Sequence, residues 1–387
     1  MKNIILKDGN FLIQYNEKYY VVNSFTKILL EAFSYTNEIN SLSQILGISS
    51  RKTKQIFKML DKKLINCPFY EKNLFLDEPI KLQWKITARC NLKCKHCYLG
   101  ELPDQELSPN ALMKIAERIV DTQIMELTIT GGEALTVKCL PQILEKILSK
   151  NIKVHIFTNG VLLDKFIKNI DNFANPRLLS FEVSVDGLKK THDYIRGKGT
   201  FQKTIKGIKS AIAAGYSVST NTVLSKLNYQ EIPKLFSVLK KRNISFIQIS
   251  NIIDSGRATS SMKLSEEEHT IVLKNLKRTL KSIGGADKLL YANQGRTFMF
   301  QSENSKDIPL GGEKWKCGAG IGRATIDYKG NVYCCPFWEK SCLGNILKEP
   351  LSTIWKSDNK YFFLKELAKL NSGKRICIVA QDRVCND

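Results

Sequence analysis

Cys90-Asn91-Leu92-Lys93-Cys94-Lys95-His96-Cys97-Tyr98 follows directly on Leu82–Thr87, a run that reads as a strand. Three thiolates separated by three and two residues can wrap one corner of an iron–sulfur cube. The fourth iron is then left without a protein ligand, open to chelation by a small molecule. Zinc with His96 as fourth ligand is the rival reading. His96 adjoins Cys97 in the chain, which makes a shared tetrahedral site awkward.

Working outward, further strands are predicted at Glu126–Thr130, Lys153–Thr158, Leu179–Val185, Ser217–Leu224 and Ser245–Ser250, with helical patterns between them. The first helix opens at Ser108-Pro109, an N-cap followed by Pro at the first helical position. It places Leu112, Ile115, Ala116, Ile119 and Val120 on one face. Six βα units over residues 81–285 predict an α/β domain, a parallel sheet or partial barrel. Chemistry in such folds gathers at the C-terminal ends of the strands. Thr130-Gly131-Gly132-Glu133, Thr158-Asn159-Gly160 and Ser184-Val185-Asp186-Gly187 stand at those ends. The paired glycines are expected to let backbone approach a ligand closely.

The flanks differ. Residues 1–72 carry two aromatic and β-branched strands, Asn10–Tyr15 and Lys18–Val22, then helices from Ser24, at Ser41–Leu46 and at Ser50–Leu64. Strands followed by three small helices form a winged-helix-like α+β pattern. The last helix sets Arg51, Lys52, Lys54, Lys58, Lys62 and Lys63 against one acid, Asp61. Residues 73–80 read as a linker. Residues 286–387 hold Cys317, Cys334, Cys335, Cys342, Cys377 and Cys385, a β-hairpin over Ile326–Tyr333 and a helix at Asn359–Leu370. Cys67 and Cys139 stand alone and read as small buried hydrophobes.

At 387 residues the chain has room for two or three domains. Its 43% hydrophobic and 25% charged content excludes a disordered or collagen-like chain. No run approaches the roughly 18 apolar residues of a membrane span. Charges at Lys2, Lys7 and Asp8 leave no room for a signal-peptide core, so the expected location is the cytoplasm. Eleven cysteines without a secretion signal argue for metal sites over a disulfide framework. The net charge of +22 favours acidic partners, and fits equally a basic composition spread over a solvated surface.

The three-cysteine loop, with Gly-Gly-Glu one strand later, resembles the radical S-adenosylmethionine (SAM) enzymes over about residues 81–260. The resemblance implies a [4Fe-4S] cluster on Cys90, Cys94 and Cys97, with SAM on the open iron. It places SAM against Gly131, Gly132 and Glu133, with Glu133 near its amino group. It implies Ser184 first and Asp186 second at the ribose, and Arg196 at the carboxylate. Asn221 and Ser255-Gly256-Arg257-Ala258 also fit the family pattern. The chemistry implied is reductive cleavage of SAM to a 5′-deoxyadenosyl radical, which removes a substrate hydrogen atom.

Cys317, Gly330 and Cys335 with the later cysteines resemble the auxiliary-cluster extension of radical SAM maturases, SPASM in its full form and Twitch when shortened. The Cys-x-x-Cys run near the end is missing here, and six cysteines are too few for two fully ligated cubes. One auxiliary iron–sulfur cluster is therefore expected, of the [4Fe-4S] type, on Cys317, Cys335, Cys377 and Cys385, with Cys334 and Cys342 as spares. The front domain resembles the recognition element of ribosomal-peptide maturases, where a leader peptide adds as an extra strand at the sheet edge and lies against the third helix. The assembly most resembles sactipeptide maturases, the group that includes the maturase of the sporulation killing factor. That implies an oxidoreductase forming thioethers from Cys sulfur to Cα of a precursor peptide, served by an electron donor such as flavodoxin or ferredoxin. Thioethers at Cβ or Cγ, carbon–carbon crosslinks and epimerisation use the same scaffold, and a non-catalytic peptide-binding protein is the alternative of another class. Nucleic acid is not the expected partner.

Overall fold

The computed structural model describes residues 3–5, 11–15, 18–22, 50–51 and 78–282 apart from 102, 104–105, 171–172 and 174–175, together with 289–292, 297–301 and 319–364 apart from 321 and 361. The chain divides into two compact units, Met1–Asp77 and Glu78–Asp387.

In the first unit, β1 (Asn3–Ile5), β2 (Phe11–Tyr15) and β3 (Lys18–Val22) form an antiparallel sheet in that order. The β2–β3 hairpin closes with Tyr15 opposite Lys18, as the aromatic and β-branched runs predict. The strand β1 is additional. The helices expected over residues 24–64 lie outside the described residues except Ser50 and Arg51, which are helical.

The second unit is built on six parallel strands in sequential order: β4 (Lys81–Thr87), β5 (Glu126–Gly131), β6 (Lys153–Thr158), β7 (Leu179–Ser184), β8 (Ser217–Leu224) and β9 (Phe246–Asn251). Each agrees with the expected strand to within one residue. Helices α1 (Pro109–Val120), α2 (Leu140–Leu148), α3 (Leu163–Lys168), α4 (Lys189–Arg196), α5 (Thr200–Ala213) and α6 (Ile232–Lys240) supply the crossovers, and α7 (Glu266–Ser282) follows β9. Ser108 caps α1 as predicted, its Oγ accepting from the Ala111 N–H at 3.2 Å. Among the described residues no helix is long and apolar enough to cross a membrane.

The sheet does not close on itself. It continues past β9 through β11 (Thr297–Gln301) to β10 (Leu289–Ala292), and past β4 through β12 (Arg323–Ile326) and β13 (Asn331–Cys335) to β14 (Trp338–Asn345). The expected hairpin is β12–β13. Asp327 Oδ1 organises its turn, accepting from the N–H groups of Lys329 and Asn331 at 2.8 Å each, and Gly330 takes a left-handed φ of +85°. Since β12 pairs in parallel with β4, the sheet runs unbroken across the 285/286 boundary.

Side-chain alternation shows what the strands face. On β7, Leu179, Phe181 and Val183 are buried while Ser180, Glu182 and Ser184 are only partly covered. The strand β8 alternates in the same way. Parallel strands covered on both faces normally read as continuous apolar runs. Here the apolar set packs beneath the helices in one cluster with Trp84, Leu112, Ile143 and Leu235, and the polar set lines an open interior. Phe181, 1% exposed at the centre of that cluster, is the position to test. Phe181→Ala should cost about 3–5 kcal/mol in guanidinium unfolding followed by tryptophan fluorescence. A loss below about 1 kcal/mol would contradict this packing.

Candidate active site

The cysteine loop leaves the end of β4 and is held by its backbone at three places. The Gly132 N–H donates to Thr87 O at 2.9 Å and the Glu133 N–H to Arg89 O at 2.8 Å. On the far side, Lys95 N–H donates to Ile195 O at 2.9 Å and Arg257 N–H to Cys97 O at 2.9 Å. The Arg257 side chain reaches further, its Nε donating to Cys94 O at 2.8 Å and its Nη1 to Gly100 O at 2.9 Å. Fixing carbonyls this way orients three thiols on a segment with no regular structure of its own.

The two glycines also make a backbone contact within the protein. A Cβ on Gly131 would lie 2.3 Å from Thr87 O, and one on Gly132 would lie 2.2 Å from Arg89 O. The close approach they permit is loop against loop, which seats the cysteine segment on the end of β5. Gly256 does the same after β9, where a Cβ would lie 2.3 Å from Gly100 N and 2.5 Å from Cys97 O.

Cys90 is exposed, Cys97 partly buried and Cys94 buried, and all three border a cavity of about 910 Å³ at the C-terminal ends of the strands. Gly131, Gly132, Glu133, Ser184, Arg196 and Asn221 border it as well. Burial pushes the Cys94 thiol above its ordinary range, with the Arg196 guanidinium pulling the other way. Three soft donors facing one space fit a cationic iron–sulfur cluster that would hold them as thiolates. His96 spends Nε2 on Asp186 Oδ2 at 2.7 Å, tying the loop to the segment after β7.

Glu133 is 1% exposed. Its Oε1 accepts from Thr158 Oγ1 at 2.7 Å and from Leu135 N–H at 3.1 Å, and its Oε2 accepts from Asn159 N–H at 2.7 Å. Burial raises this carboxyl and those donors restrain it. The arrangement leaves lone-pair capacity on Oε2 for one more donor, such as a ligand amine.

Asp186 stands apart from the other expected cofactor residues. It is wholly buried and does not border the cavity. Its Oδ2 accepts from His96 Nε2 and from Arg196 Nε at 2.5 Å, and its Oδ1 accepts from Val223 N–H at 2.8 Å. Burial alone would raise its pKa, and Arg196 and His96 beside it outweigh that and hold it far below the carboxylate range. Its geometry is that of a group positioning Arg196, whose Nη1 lies 3.9 Å from Cys94 Sγ. Ser184 faces the cavity as expected, next to Asn221 on β8, which accepts from Ser250 Oγ at 3.0 Å.

The C-terminal strands close one side of the same cavity. Pro336 and Phe337, in the β13–β14 turn, line it, and the Phe337 ring packs 5.6 Å from Tyr98 of the cysteine loop. Lys85 Nζ donates to Pro336 O at 3.0 Å. Cys335 is buried beside this turn, while Cys334 Sγ lies against Gly320. Cys342 is partly buried on β14. Cys317, Cys377, Cys385 and Cys67 lie outside the described residues, and Cys139 is half-buried against the core rather than fully within it. The sequence pattern alone did not single out Phe157, Glu182 or the loop contacts of Arg257. The first two follow from the strand alternation, Phe157 in phase with Lys153 and His155 on β6 and Glu182 in phase with Ser184 on β7.

Residues 84–239 match the radical SAM superfamily and residues 317–378 the SPASM iron–sulfur cluster-binding domain. Over 290 residues the chain is 25% identical to Fe-coproporphyrin III synthase of Methanosarcina barkeri, covering 70% of this chain and 72% of that protein. It is 26% identical over 189 residues to the sporulation killing factor maturation protein SkfB of Bacillus subtilis, covering 48% of this chain and 45% of that one. Among solved structures, Streptococcus suis SuiB bound to precursor peptide SuiA shares the fold with a TM-score of 0.64 at 16% identity, over 94% of this chain and 88% of that one. The cysteine loop, the Gly-Gly-Glu turn and the C-terminal strands thus belong to a radical SAM enzyme that takes a [4Fe-4S] cluster and SAM in its barrel and carries an auxiliary iron–sulfur SPASM domain.

Proposed function

We propose that this chain is a maturase of a ribosomally made precursor peptide, joining a peptide Cys sulfur to the Cα of an acceptor residue. The observation that carries the peptide reading is the reach of the fold likeness to SuiB. It spans 94% of the chain, a share that requires residues from the front unit as well as from Glu78–Asp387. A tetrapyrrole substrate is the second reading, favoured by the Methanosarcina relative.

Cys90, Cys94 and Cys97 would hold the SAM-binding cluster, and Glu133, Ser184 and Arg196 would hold SAM. Cys317, Cys335, Cys377 and Cys385 would hold one auxiliary cluster. When bound, the reduced cluster and SAM supply the radical that removes a hydrogen atom from the substrate. The protein's own part is positional. Arg257 and the Gly131-Gly132 contact fix the thiols, Glu133 offers an acceptor for the SAM amine, and Phe337 and Tyr98 narrow the cavity against water. Among the described residues of the front unit β3 is an edge strand of its sheet, where a leader peptide would add as a further strand. The basic residues Arg51–Lys63 suit an acidic leader.

Cys90→Ala, Cys94→Ala or Cys97→Ala should each abolish 5′-deoxyadenosine formation under anaerobic reduction, measured by chromatography. Full turnover in any one refutes the ligand assignment. The triple variant should still bind iron and sulfide at about one cube per chain, and an iron-free protein or two cubes would refute the single auxiliary cluster. Reversing charge at Lys54 and Lys58 should weaken precursor binding roughly tenfold in fluorescence anisotropy, more at low salt, because exposed charges are screened within about 8–10 Å at physiological ionic strength. Equal affinity for a leaderless peptide would overturn the role given to the front unit.

A further inference from the structure

One acidic group of the cavity wall has no part in the roles above. Glu182 lies two residues before Ser184 on β7, so both side chains fall on the cavity face. The other acids of the wall are engaged: Glu101 pairs with Arg257 at 2.8 Å, and Glu133 accepts from Thr158, Asn159 and Leu135. Glu182 has no hydrogen-bonding or ionic partner among the described residues. Its register partner on β6 is Phe157, which also lines the cavity and remains 38% exposed there. Its partner on β8 is Ser219.

The adjoining strands leave its charge unopposed. The strand β6 brings two titratable groups, Lys153 and His155, both nearer its start, and His155 is turned to Ser180 Oγ at 2.5 Å. The strand β8 brings none. Burial by itself lifts the Glu182 carboxyl to about 7. A group poised there exchanges protons readily at neutral pH, and lies close to the ordinary cysteine value of about 8.5. The cavity is large for one small ligand, about 910 Å³ against a usual range of roughly 300–1,000 Å³. Glu182 lies one side-chain layer deeper than the strand ends that carry Ser184 and Glu133.

We propose that Glu182 is the proton acceptor for the substrate, taking the proton from the cysteine sulfur that forms the new bond, with Phe157 as the apolar wall that keeps the pair dry. This assignment rests on the thioether reading. In the step the S–H bond breaks and an O–H bond forms on Glu182. No electron is exchanged, and the proton passes to solvent when the product leaves.

The test uses the full reconstituted chain with a synthetic cysteine-containing precursor peptide. It reads crosslinked peptide formed per 5′-deoxyadenosine across pH 5.5–8.5. The wild-type ratio should rise with pH through about 7 as the carboxyl ionises. In Glu182→Gln the ratio should fall about a hundredfold, within the range of roughly 10²–10⁴ for a general base, and lose that limb. Glu182→Asp should restore part of both. Iron content and melting temperature, compared with wild type, check that the variants are folded. A Glu182→Gln ratio within twofold of wild type, or an unchanged pH limb, overturns the assignment. A selective loss of affinity for SAM over S-adenosylhomocysteine, which lacks the sulfonium charge, would place Glu182 at the sulfonium and overturn it too. A wild-type chain that forms no thioether overturns the thioether reading, and this assignment with it.

Discussion

A carboxylate sealed from water must find its donors within the protein, and the active-site end of this barrel is arranged around one that does. Asp186 gathers His96 from the cysteine loop, Arg196 from the end of α4 and the Val223 N–H from β8. Removing one partner of such a buried set leaves an uncompensated charge, at about 3–5 kcal/mol in comparable cases. The loops are therefore bound to a common geometry. The cysteine segment lies where His96 can reach Asp186, and Arg196 lies where its far nitrogen meets Cys94. A second layer of contacts, from Arg257 and from glycines that admit neighbouring carbonyls, fixes the same segment from its other side.

Much of this was legible in the chain, for reasons that differ element by element. The six parallel strands follow from β-branched runs separated by helical periodicity, and α1 follows from Ser108-Pro109. The cysteine loop is legible because three thiols at that spacing have few structural uses. Asp186, which the resemblance puts second at the ribose, is buried away from the cavity: a strand-end acid faces the cavity or the protein according to one turn of backbone, and sequence spacing does not resolve that turn. Gly131 and Gly132 border the cavity and also admit the carbonyls of Thr87 and Arg89, a loop-on-loop contact that a pair of glycines does not announce. Arg257 lies about 160 residues from the loop it holds, and such a contact leaves no local trace.

The alternation along β7 and β8 carries the functional information that the motifs do not. A filled parallel barrel has no reason to place Ser, Glu, Ser and Asn on one face of adjacent strands. Their presence marks an interior shaped for polar ligands, with Phe157 as an apolar exception on β6. The motif residues at the strand ends are the ones that the family resemblance assigns to the cofactors. The layer beneath them is where members acting on different molecules have room to diverge.

The parallel pairing of β12 with β4 has a consequence for protein engineering. The C-terminal segment is joined to the barrel by a ladder of backbone hydrogen bonds, and Lys85 of β4 is bonded to the turn beside Cys335. It is therefore not a detachable cassette. A chimera cut at residue 285 would strip β4 of its neighbour and expose an unpaired edge, inviting aggregation. Exchange of auxiliary modules between such enzymes would have to carry the register of this strand pair along with the cysteines.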